Sequence, residues 1–219
     1  MRTRLVLATL LCAALASTPA SAAVIFKQTF DGALGANESL GGRFQLGDGH
    51  VGHLTHYESN EYSFYQVALD LSEMTSAMLS FDFDLLSELH YDGFNVLGST
   101  SGVFNSSTDL LTPITAGVYD QMSSNFARLG RTAASGDLDG KMLIDLSQFA
   151  GQTVNLRFQF QSDRAATNRG VWFDNVAVTG APIGSAVPEP ATWAVMIAGF
   201  GLAGAAVRKA RRHEARVLA

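Results

Sequence analysis

Two stretches of this chain alternate between apolar and polar residues almost without a break. One is Met78-Leu79-Ser80-Phe81-Asp82-Phe83-Asp84-Leu85, and the other is Val154-Asn155-Leu156-Arg157-Phe158-Gln159-Phe160-Gln161. Successive side chains of a strand point to opposite faces, so each stretch offers one apolar face and one wet face. Residues 24–30, 63–71, 94–97, 142–146 and 171–178 read as further strands, with Gly, Asn, Asp and Ser between them. No helical stripe longer than two turns occurs between Ala23 and Gly180. Strands wet on one face belong to antiparallel sheets. The pattern therefore predicts an all-β fold, a two-sheet antiparallel β-sandwich of the jelly-roll kind over residues 23–180.

The ends carry different information. Arg2 and Arg4 precede apolar residues 5–16, and a run of small residues follows. This is the order of a secretory signal peptide over residues 1–22, with Ala20 and Ala22 as its small-x-small pair and Ala23 as a near alternative cut. The one cysteine, Cys12, lies in that leader. Leu11 stands where a lipidation signal needs a small residue, so no lipid anchor is expected, and the mature chain has neither disulfide nor thiol chemistry.

At the other end, residues 181–187 read as a linker, and Pro188-Glu189-Pro190 forms a stiff extended spacer. Residues 191–207 are apolar and uncharged, just long enough for a transmembrane helix across ~30 Å of hydrocarbon. The basic cluster Arg208, Lys209, Arg211 and Arg212 then holds the segment's end on the cytoplasmic side, leaving residues 213–219 as a cytoplasmic tail.

The run VPEPATWAVMIAGFGLAGAAVRKARR resembles the PEP-CTERM sorting tail of Gram-negative bacteria: Pro188, Glu189, Pro190, Trp193, the Gly-rich apolar run and the arginine block fall in that family's order. The resemblance implies export, transient membrane anchoring over residues 188–212, and recognition by an exosortase that cuts near Pro-Glu-Pro. It also implies a final place at the cell surface or in the extracellular matrix, among exopolysaccharide and biofilm. A second resemblance covers the body. Residues 144–158 (IDLSQFAGQTVNLRF), residues 170–178 (GVWFDNVAV) and the opening Phe30-Asp31-Gly32 are similar to the strands of galactose-binding-like and MAM-like jelly rolls. That likeness implies a structural Ca²⁺ where Asp31 and Asp174 come together. Hard oxygen ligands suit this ion, and no other cofactor is expected.

Between residues 23 and 180 there are eight Lys and Arg against eighteen Asp and Glu, a net charge of −10. So anionic a body excludes nucleic acid as a partner, because phosphate binding needs clustered cations. His50, His53 and His56 recur every third residue near Glu58 and Glu61, but Gly47, Gly49 and Gly52 oppose a helix, and the favoured reading is exposed loop histidines. Asp137-Leu138-Asp139-Gly140 lacks the remaining positions of a calcium loop and reads as a turn. Asp82, Asp84, Glu88 and Asp92 supply carboxylates of the kind a glycoside hydrolase uses. Asp82 and Asp84, however, sit on the polar face of their strand, and no nucleophile or phosphate-loop motif accompanies them. The chain is therefore expected to be non-catalytic. Tyr57, Tyr62, Tyr65 and Tyr91 could stack on sugar rings, which makes a lectin-like module the alternative to a matrix component.

Overall fold

The computed structural model describes residues 22–126 and 128–184. They hold β1 (Ala23–Gln28), β2 (Glu38–Gly41), β3 (Gln45–Gly47), β4 (His50–Gly52), β5 (Tyr62–Asp70), β6 (Met74–Leu86), β7 (Gly93–Ser99), β8 (Asp120–Phe126), β9 (Gly130–Ala133), β10 (Asp137–Asp145), β11 (Thr153–Gln161) and β12 (Gly170–Pro182). A single 3-10 turn, Ser147–Phe149, follows β10. The expected signal peptide, transmembrane helix at 191–207 and sorting residues fall outside the described residues, apart from Ala22, which is exposed. Among the described residues no helix is long and apolar enough to cross a membrane.

Every strand pairing is antiparallel. The first sheet runs β10-β6-β12-β4-β3, with β1 on the second half of β12, and the second runs β2-β5-β11-β7. Alternation in sequence becomes alternation in burial. In β6, Leu79, Phe81, Phe83 and Leu85 are buried while Ser80, Asp82 and Asp84 face outward. Phe81, Phe83 and Phe173 from the first sheet meet Phe94 and Phe158 from the second. Ring centroids lie 4.8 Å apart for Phe81–Phe158 and 5.0 Å for Phe94–Phe173, edge to face in both. Edge-to-face pairs add about 1 kcal/mol each beyond the area they bury, so these rings clamp the sheets together.

The phase of β12 changes once. Val171 and Phe173 point inward, then Val176 and Val178, with Asp174 and Asn175 both on the outside. The register against β6 slips between Asp174 and Ala177, and Asn175 has φ +50°. This bulge inserts an extra residue into β12. It lies where the strand exchanges β4 for β1 as its second neighbour.

The seven strands expected from periodicity are all present, and five more were not anticipated: β2, β3, β4, β8 and β9. Strand β12 continues through Ala181 and Pro182, the first two residues of the expected linker. The hairpin β8–β9 lies against β7. Ala134 bridges Phe94, and Asn95 Nδ2 donates to the carbonyls of Leu129 and Thr132 at 2.8 Å. All seven residues of β7 are consequently buried, on both faces.

Candidate functional site

The expected site residues fall in three places. The first is the outer face of the first sheet. Asp82 binds Lys141 at 2.7 Å and accepts from Asn175 Nδ2 at 2.9 Å, and Asp84 pairs with Arg169. Burial pushes the Asp82 carboxyl upward, but Lys141 and Asn175 outweigh it and hold it below its ordinary value. Asp137, Asp139 and Trp172 join these residues around a shallow groove of about 470 Å³. His50 leans on Trp172 with centroids 5.3 Å apart. Asp174 lies opposite Asp82 and accepts from the backbone N–H and Nδ2 of its neighbour Asn175. Asp31 stands in the loop after β1 with its Oδ1 beside Gly49, next to His50.

The second place is one end of the sandwich, where the polar groups are buried. His53, expected in an exposed loop, is 5% exposed. Its Nδ1 accepts from Val171 N–H at 3.1 Å, so the ring proton sits on Nε2, which donates to Glu61 at 2.7 Å. Ser63 and the Glu58 N–H also donate to Glu61. Burial raises the Glu61 carboxyl, yet these bonds more than compensate and hold it below its ordinary value. Close by, Tyr57 donates to Asp92 at 2.7 Å, as does the Asp163 N–H. Asp92 is fully buried, and desolvation pushes its pKa up to about 6, against the lowering effect of those two bonds. Carboxylate oxygens of Glu88, Asp92 and Asp163 lie within 4.8 Å of one another. Among the described residues, that trio brings three carboxylates close enough to hold a metal ion; Asp31 and Asp174 are not among its members. The fold thus separates Glu88 and Asp92 from Asp82 and Asp84, and the four do not form one acidic site.

The third place was missed by sequence reasoning. On the outer face of the second sheet, Tyr62, Phe64 and Gln66 of β5 stand beside Arg157 and Gln159 of β11. The long loop after β7 returns Phe104 over them. The Arg157 guanidinium lies 4.4 Å from the Phe64 ring centroid and 4.0 Å from that of Phe104. It donates to Gln66 Oε1 through Nε at 3.1 Å and Nη2 at 2.7 Å. Arg128 stacks over Tyr62 at 4.3 Å. Gln159 is buried and fully engaged: its Nε2 donates to Asn95 and to the Arg128 carbonyl, and its Oε1 accepts from the Tyr62 hydroxyl. With Leu97, Val103, Asn105 and Ser106, these residues line a groove of about 440 Å³. Of the expected sugar-stacking tyrosines, Tyr62 borders this groove and Tyr91 is exposed, while Tyr57 and Tyr65 are core residues.

The arrangement defines an antiparallel β-sandwich body with aromatic and charged grooves on its outer faces. Residues 186–212 match the PEP-CTERM protein-sorting motif, so the chain carries that motif at its C-terminal end. Among solved structures, the K3 cleaved adhesin domain of Lys-gingipain from Porphyromonas gingivalis is similar at 14% identity and TM-score 0.45, covering 72% of this chain and all of that one. The K1 adhesin domain of the same protein is similar at 18% identity and TM-score 0.41, covering 70% and 96%. A family 29 carbohydrate-binding module is similar at 16% identity and TM-score 0.39, covering 74% and 94%. No curated protein matches the chain.

Proposed function

We propose that this protein is exported, held briefly in the membrane by its tail, and delivered through an exosortase-like protease to the cell surface or matrix. There its body associates with exopolysaccharide without turnover. The observation that carries this reading is the sorting motif at 186–212, which begins just after the compact body closes at Gly184. Export supplies the environment, the protease removes the anchor, and the cysteine-free sandwich persists outside on the strength of its core. A second reading, a lectin-like module with a defined pocket, is favoured by one observation: the groove over the second sheet combines aromatic rings with pre-positioned polar groups. Calcium enters only as a structural ion. Under this proposal chelation lowers the melting temperature and leaves sorting unchanged.

The test is fractionation of producing cells with and without their exosortase. With the protease, the mature protein leaves the membrane fraction and its mass shows loss of the segment beyond Pro-Glu-Pro. A final product with an intact C-terminus, or one indifferent to the protease, overturns the sorting proposal.

A further inference from the structure

We infer that the groove over the second sheet is a binding site for acidic polysaccharide, with Arg157 and Arg128 receiving the carboxylates of uronic acid units. The inference rests on the exopolysaccharide reading above and names the chemistry that this reading leaves open. Its starting point is a contrast in how the body spends its few cations. Arg43, Lys141 and Arg169 each have a carboxylate within 4.0 Å, as expected where acids outnumber bases so heavily. The other five, Lys27, Arg128, Arg131, Arg157 and Arg164, have none among the described residues. Of these, Arg128 and Arg157 are stacked on aromatic rings, and both stand around one groove.

Arg157 is built into place rather than left to swing. It is held between two rings and braced by Gln66, and Gln159 beneath the groove is fixed by hydrogen bonds at both ends. Little side-chain entropy is then left to lose when a ligand arrives. A guanidinium carries five N–H donors. Gln66 takes two and the Tyr62 hydroxyl a third at 3.4 Å, so donors remain for a ligand. The planar fork matches the two oxygens of a carboxylate, which a Lys would meet only as a point charge. Neighbouring hydroxyl, amide and ring groups suit the alternating polar edges and apolar faces of a sugar.

The body's net negative charge opposes an anionic polymer at long range. That repulsion is screened over about 8 Å at physiological ionic strength, whereas a hydrogen-bonded pair in the groove acts at contact, so the local pairing wins. A neutral glycan would leave the two stacked cations without counter-charge, and a nucleic acid would meet only two basic groups on an acidic body.

The test uses the mature protein from its producing cells and measures binding to polygalacturonate and to the same polymer with its carboxyls reduced to alcohols. The expected result is binding to the acid polymer, weakened by salt, and about tenfold or more weaker binding to the reduced one. Arg128→Gln, an exposed loop change that leaves the fold in place, and Arg157→Gln each weaken acid binding by a similar factor; Arg164→Gln, outside the groove, does not. Circular dichroism and melting temperature keep a folding defect apart from a binding one. Equal binding of both polymers overturns the carboxylate assignment while leaving the exopolysaccharide reading intact. So does equally tight binding of a sulfated neutral polymer. Wild-type affinity in both groove variants moves the site elsewhere. Binding to no polysaccharide at all overturns both readings.

Discussion

Replacing Asp92 by asparagine will flatten the pH dependence of stability. Asp92 is wholly buried, and desolvation raises its pKa from the ordinary 3.8 to about 6 despite bonds from Tyr57 and the Asp163 N–H. Between those values the folded chain holds a proton that the unfolded chain has released. The site's contribution is therefore complete below pH 4 and is lost as pH rises through 6. At about 1.4 kcal/mol per pH unit the loss amounts to about 3 kcal/mol. Asparagine keeps an acceptor for the Asp163 N–H, and its amide can donate to the Tyr57 oxygen, so the geometry survives. Urea unfolding from pH 4 to pH 8, in EDTA to keep metals away from the nearby carboxylates, gives the comparison. The variant's stability relative to the wild type will rise by about 3 kcal/mol across that range. A difference that does not vary with pH, or that falls, refutes the reasoning.

Other changes act through packing. Phe158→Ala removes a fully buried ring shared by both sheets and will cost about 3–5 kcal/mol in urea unfolding. Gly52→Ala will prevent β4 from docking, because Gly52 has φ +150° and a Cβ there would lie 2.2 Å from the Val171 carbonyl oxygen; loss of cooperative melting is the readout. Asp84→Asn breaks a partly exposed pair with Arg169, so it will change stability by at most about 1 kcal/mol and leave any added polysaccharide uncleaved, as with wild type.

Where one face of a strand is wet, the sequence displays its fold. Met78 to Leu85 and Val154 to Gln161 alternate because only one side of each sheet meets the core, and those strands stand where periodicity put them. Strand β7 was read from residues 94–97 but shows no clean alternation: the β8–β9 hairpin covers its second face, which removes the polar half of the pattern from Gly-Phe-Asn-Val-Leu-Gly-Ser. Strands β2 to β4 are three or four residues long and rich in glycine, too short for a period to register. His53 is buried because Val171 N–H and Glu61 satisfy both its nitrogens, and those partners lie 118 and 8 residues away in sequence. The Arg157 groove was hidden for the same reason. Phe64, Phe104 and Arg157 are single members of three separate segments, and only the register of β5 against β11 and the return of the loop after β7 bring them together. Tails behave differently. A sorting motif is read by its receptor as a linear string, so the C-terminal signal was readable from residues alone.

The central claim is that the body holds exopolysaccharide without consuming it. The direct measurement is to incubate the mature protein with exopolysaccharide from its own producing cells, sediment the polymer, and assay protein in the pellet together with polymer length and reducing ends. The account predicts that the protein sediments with the polymer, in a salt-sensitive manner, while chain length and reducing ends stay constant. Protein left in the supernatant, or a polymer that shortens with time, contradicts it.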